Sequence, residues 1–259
     1  MRSISLAKFE EGVINEDAAI ARKEVIAVSD GAGGGGVFAD RWSKYLVEHL
    51  SDEPITDYES FDKWIDNIWE PFYNDCEENA KKEGGLFLNK FYDEGSFATL
   101  VAVWKNGQWM SYGDSVAFCY NSKNGTLQYS FTKLADFNNP PYLINCKDPL
   151  NEQGFKSGKF DIQPDNIVFV TSDALAHYIL MMYEVEHKDE FGSELQEAIN
   201  AQTKNSNFIK TCMNQRKIDF EDVLKKLLLC KNVGNYKKHL ESLKKKGLIG
   251  HDDYTIAIM

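Results

Sequence analysis

The spacing of apolar residues changes several times along the chain, and each change marks an element. Residues 3–9 alternate enough between apolar and polar to predict a first strand. Ala18–Ala21 and Val25–Val28 are short apolar runs around Arg22-Lys23-Glu24, the pattern of a hairpin. From Val37 to Leu50, and again from about Phe61 to Lys82, the spacing suits helices. Trp64, Ile65, Ile68, Trp69, Phe72 and Tyr73 recur every three or four residues and mark a buried face. Ser60 is placed to cap this second helix, Gly84-Gly85 to end it, and Pro71 to kink or split it. Phe97–Trp104, Gln108–Tyr112, Val116–Tyr120 and Thr126–Phe131 predict a meander of strands, with Asn106-Gly107 and Asn124-Gly125 supplying tight turns. Residues 134–160 have no clear period and predict a long loop with at most a short strand. Loops of that length are usually functional, so this one is a candidate substrate-facing flap. Ile167–Thr171 predicts a buried strand, Ala174–Tyr183 a helix, and most of 189–246 further helices. The last strand, Tyr254–Met259, has to insert beside early ones. The order fits an α+β fold with two sheets and helices packed outside, as one domain over residues 1–259.

Composition narrows the function. With 40 acidic against 29 basic residues the net charge is −11, which disfavours a nucleic-acid partner and suits a site that gathers carboxylates around cations. No apolar run approaches a membrane span, so no membrane partner is expected, and the polar start is unlike a signal peptide. The cysteines are odd in number and scattered, without metal-like spacing, which predicts a reduced, cytoplasmic protein.

The candidate chemistry lies at strand ends. Asp30 closes the run Glu24–Ser29 and precedes Gly31-Ala32-Gly33-Gly34-Gly35-Gly36. Taken alone, this reads as a capped strand-to-helix turn. Asp17, Asp114, Asp173 and Asp252 repeat the arrangement, each at the edge of a predicted strand. Acidic residues are ordinary in turns, but five beside strongly apolar strands form a set. The histidines show no zinc spacing, and there is no nucleophile elbow or phosphate loop. Oxygen-only ligation suits Mg²⁺ or Mn²⁺.

These residues, in order, resemble the motifs of metal-dependent Ser/Thr protein phosphatases of the 2C type (the PPM family), in a bacterial-like form. The motifs are Asn15-Glu16-Asp17-Ala18, Ser29-Asp30-Gly31-Ala32-Gly33-Gly34, Gly95-Ser96-Phe97-Ala98-Thr99, Tyr112-Gly113-Asp114-Ser115, Thr171-Ser172-Asp173-Ala174-Leu175 and Asp252-Asp253-Tyr254-Thr255. The resemblance implies a four-layer α/β/β/α sandwich with two central antiparallel sheets. It also implies a hydrolase that dephosphorylates phosphoserine and phosphothreonine in phosphoprotein substrates by attack of a metal-bridging water. Asp30 would bridge two Mn²⁺ or Mg²⁺ ions. Asp173 and Asp252 would complete one, and the Gly31 carbonyl would bind the other. Glu16 and Asp17 would reach the cluster directly or through water, and Asp114 would match a weaker third metal position.

The chain also departs from the pattern. Gly12 stands where the family usually has a phosphate-binding Arg, leaving Lys8 or Arg2 as substitutes and the substrate-binding residue open. Ala32 stands where many eukaryotic members have a His that protonates the leaving group. Ala174 replaces a Gly, and His177 replaces a second Asp, which weakens the third site. Gly12 and Ala32 motivate the alternative of a phosphatase-like binding module that recognises phosphoproteins or partners without turnover.

Overall fold

The computed structural model describes every residue except Gly35, Arg216 and Lys231, so one glycine of the run after Asp30 lies outside the described residues. One sheet has the order β10 (Phe155–Lys159), β6 (Gln108–Tyr112), β5 (Leu100–Trp104), β3 (Val25–Ser29), β2 (Ala18–Ala21). The other has the order β1 (Arg2–Leu6), β12 (Tyr254–Ile258), β11 (Asn166–Thr171), β7 (Val116–Asn121), β8 (Thr126–Tyr129). All of these pairings are antiparallel. A short pair, β4 (Phe97–Ala98) and β9 (Ile144–Asn145), lies apart.

Side chains alternate faces along a strand, so one strand can feed two layers. Val25 and Ala27 of β3, with Leu100, Ala102 and Trp104 of β5, join the core under α1 (Ala39–His49), α2 (Tyr58–Glu83) and α3 (Gly85–Glu94). Ile26, Val28, Val101 and Val103 point the other way, onto Ala117, Cys119, Val168, Val170 and Ala257 of the second sheet. Phe118, Phe169, Tyr254 and Ile256 then meet α4 (Asp173–Glu186), α5 (Lys188–Asn200), α6 (Lys204–Met213), α7 (Phe220–Leu228) and α8 (Val233–Lys245). The result is the expected helix–sheet–sheet–helix stack.

Several local expectations need correction. The first strand stops at Leu6, because the chain then turns back at Lys8 and Glu10. Asp57, not Ser60, caps α2: its carboxylate accepts from the Ser60 N–H at 2.8 Å. Helix α2 runs through Pro71 unbroken. Losing a helix bond costs about 3 kcal/mol, but Phe61, Ile65, Phe72, Cys76 and Ala80 are buried on one face, and the larger side chains return about 1.5–3 kcal/mol each. A new helix, α3, starts directly at Gly85. The strand expected over 97–104 breaks at Thr99. The segment 134–160 is not one loop: it holds a 3₁₀ turn, β9, a second 3₁₀ turn and the edge strand β10. The final strand inserts between β1 and β11.

Candidate metal centre

Strand register brings the candidate residues to one end of the sandwich. Ala18 lies opposite Ser29, Leu100 opposite Tyr112, Val116 opposite Thr171, Thr171 opposite Ile256, and Leu6 opposite Tyr254. The short crossover 113–115 joins the ends of the two sheets. Just beyond these strand ends stand Lys8, Asp17, Asp30, Asp114, Asp173 and Asp252.

Burial, then the charges of Asp17, Asp173, Asp114 and Asp252, push Asp30 well above the ordinary carboxylate range. Burial and then Asp114, Asp252 and Asp17 do the same to Asp173. Burial raises Asp17 to about 7 and Asp114 to about 6, and it raises Asp252 as well. Both carboxylate oxygens of Asp17 are buried without a hydrogen-bond partner. The Thr255 and Ser172 hydroxyls are near enough to temper its shift, but not at bonding geometry. Buried carboxylates that repel one another, with Asp17 lacking any donor, call for a cation. The donors are all oxygen, which fits Mg²⁺ or Mn²⁺. Among the described residues no three His, Cys, Asp or Glu side chains already close on one point. The aspartates are therefore neighbours rather than a finished coordination shell.

Glu16 stands apart from the five. The charges acting most strongly on its carboxylate are Lys8, Asp253 and Asp40, and it faces Lys8 at 3.6 Å. It also lies against Gly33, where any Cβ would fall 1.9 Å from Glu16 Oε1. The main chain of Glu16 grips the site: its carbonyl accepts from the Gly31 N–H at 3.1 Å and from Ser43 Oγ at 2.5 Å. A Cβ on Gly31 would meet the Glu16 and Ala39 carbonyls at 2.6 and 2.7 Å, so this close approach requires glycine.

Of the two candidate substitute cations, Arg2 is committed elsewhere, donating to the Cys230 carbonyl at 2.6 Å. Lys8 stays at the rim. Burial works against its charge, but Asp253, Glu16 and Asp252 together hold its pKa above the usual value. Gly12 takes a left-handed turn, φ 77°, with open space around it. The Ala32 N–H donates to the Phe97 carbonyl at 2.9 Å. His177 packs between Phe137 and Phe208, at 5.4 and 6.2 Å between centroids, within the helical layer.

Sequence reasoning missed Asp253. It is 3% exposed, and its two oxygens accept from the Lys8 and Glu16 N–H groups at 2.7 Å each, clasping the segment that carries Asp17. An Asp doublet before a strand was the only signal, and it does not say which of the two faces the cluster.

No protein-family model matches the chain, and no curated protein matches it in sequence. Solved structures share its fold over nearly its whole length. Serine/threonine phosphatase Stp1 from Staphylococcus aureus is 12% identical, with 99% of this chain and 93% of that one aligned, at a TM-score of 0.50. The catalytic domain of the serine/threonine protein phosphatase PstP, in complex with two manganese ions, is 14% identical over 99% and 96%, at 0.50. The PPM Ser-Thr phosphatase MsPP from Mycobacterium smegmatis, in complex with cacodylate, is 13% identical over 99% and 96%, also at 0.50. At these identities the likeness is one of fold.

Proposed function

We propose that residues 1–259 form one catalytic unit, a Mg²⁺- or Mn²⁺-dependent phosphomonoesterase acting on phosphoserine or phosphothreonine in proteins. The observation that carries this reading is the buried, partnerless carboxylate of Asp17 among four other aspartates at one end of the sandwich. The three named structures that share the fold are among several that do; they are Ser/Thr phosphatases, one of them in complex with two manganese ions, which supports the reaction class.

Asp30, acted on by all four other aspartates, would bridge two ions. Asp173 and Asp252 would complete one, and the Gly31 carbonyl would serve the other. Asp17 and Glu16 would act directly or through water, and Asp114 would serve a weaker third position. When bound, two such ions supply the Lewis acidity that activates water and neutralises phosphoryl oxygens. The chain holds those ions and seats the substrate. Lys8 would face the phosphate as a point charge, without the two-pronged grip of an Arg. Its 3.6 Å contact with Glu16 is loose enough to exchange. Hydrolysis forms a bond from the water oxygen to phosphorus and breaks the ester P–O bond, and the serine or threonine oxygen leaves with a proton. Ala32 offers no acid for that proton.

The test is release of inorganic phosphate from a phosphothreonine peptide by the folded protein with Mn²⁺. The expected result is turnover that EDTA stops. Mn²⁺ and phosphopeptide binding without any release would instead favour the module that binds without turnover, the reading motivated by Gly12 and Ala32.

A further inference from the structure

Thr99 stands at the break between β4 and β5, is 2% exposed, and spends every polar atom on the residues that carry Asp30 and Asp114. Its N–H donates to the Asp30 carbonyl at 2.8 Å. Its hydroxyl accepts from the Asp30 N–H at 3.2 Å. Its carbonyl accepts from Ser29 Oγ at 2.6 Å. The same hydroxyl shares a 2.7 Å bond with Ser115 Oγ, the residue after Asp114. Its methyl side lies so close to Gly113 that a Cβ there would approach Thr99 Cγ2 to 2.7 Å. Asp30 ends a strand of one sheet, whereas Ser115 leads into β7 of the other.

We infer that Thr99 is a positioning residue: its hydroxyl, bonded to the Asp30 main chain and to Ser115, fixes the spacing of Asp30 and Asp114 across the two sheets and so sets the affinity for the divalent cation. This rests on the metal reading above. Outer groups of this kind typically change metal affinity by about 10–100-fold when removed. A Thr serving the fold alone would offer the same packing with no effect on the ion. The break in the strand has a reason on this view. In the register that sets Val28 opposite Val101, Asp30 falls opposite Thr99: the Thr99 N–H makes the ladder bond, while its hydroxyl takes the Asp30 N–H that an unbroken ladder would give to the Thr99 carbonyl.

The test is calorimetric titration of Mn²⁺ into the wild-type, Thr99→Val and Thr99→Ser proteins, with the melting temperature of each metal-free form recorded. Thr99→Val, which keeps the shape and loses the hydroxyl, is expected to bind Mn²⁺ at least about 10-fold more weakly. Thr99→Ser is expected to bind close to the wild type. A folded Thr99→Val protein with wild-type affinity overturns the inference. So does a Thr99→Ser protein as impaired as Thr99→Val, since that assigns the effect to the methyl group against Gly113. If Thr99→Val does not fold, Ser115→Ala decides: weakened Mn²⁺ binding supports the link, and unchanged binding overturns it. A wild-type chain that takes up no Mn²⁺ overturns the metal reading, and this inference with it, before any variant is compared.

Discussion

Asp30 occupies a place where strand alternation would have put another apolar side chain. Ile26 and Val28 face the opposite sheet, and Asp30 is next in that series. A charge there works against the fold unless a cation joins it. Asp30→Asn should therefore melt at a higher temperature than the wild type without metal, as one repelled carboxylate is gone. It should lose activity by more than the ~10–100-fold typical of outer groups. Scanning calorimetry in EDTA and a phosphopeptide assay in Mn²⁺ check both halves. Lys8→Ala should raise the phosphopeptide KM more than it lowers kcat, and Lys8→Arg should keep the KM low. Equal KM values across all three proteins would remove Lys8 from substrate binding. At this scale the aspartates were legible because a charge beside an apolar strand is unusual. Thr99 and Asp253 were not, since a small hydroxyl and an Asp doublet look like turn residues until the register shows what lies opposite.

Helix α4 carries two buried polar groups with an unpartnered atom, His177 Nε2 and Glu184 Oε2, in the layer behind the site. Burial lowers His177 from 6.5 to about 4 and raises Glu184 from 4.5 to about 8. For His177 the unfolded chain takes a proton first, so its stability is complete above 6.5 and lost as pH falls toward 4. For Glu184 the folded chain keeps its proton, so stability is complete below 4.5 and lost as pH rises toward 8. The two slopes oppose each other between about 4.5 and 6.5, each about 1.4 kcal/mol per pH unit at most. In urea titrations, the stability of Glu184→Gln relative to the wild type should rise as pH goes from 4.5 to 8. That of His177→Phe relative to the wild type should rise as pH falls from 6.5 to 4. Identical profiles in both variants would refute this account. The helix itself was legible from its apolar run, but its two polar residues gave no sign of being buried. Likewise α3 was hidden behind Gly84-Gly85, which reads as a stop and is also a start.

The layered architecture was the most legible part, because strands that feed two cores read as unbroken apolar runs while the helices keep a three-to-four spacing. The edge strand β10 was hidden for the opposite reason. Phe155-Lys156-Ser157-Gly158-Lys159 is largely polar and half-exposed, and only its partner β6 makes it a strand. For the whole molecule, Mn²⁺ at about 100 times its dissociation constant should stabilise the fold by about 2.7 kcal/mol. In a chain of this size that raises the melting temperature by roughly 5–10 °C, and a melting curve indifferent to Mn²⁺ would contradict the metal reading. The pairing of β1 with β12 has a further consequence, for the order of assembly. Lys8 and Glu16 are held by Asp253, a residue 245 and 237 positions downstream. Contacts of such sequence separation form late. A chain still emerging from synthesis carries Asp17, Asp30, Asp114 and Asp173 before β12 has docked, and so lacks Asp252 and the Asp253 clasp. On the proposed metal reading, capture of the ion would be the closing step of folding, and an unfinished chain would have no centre with which to attack phosphoproteins.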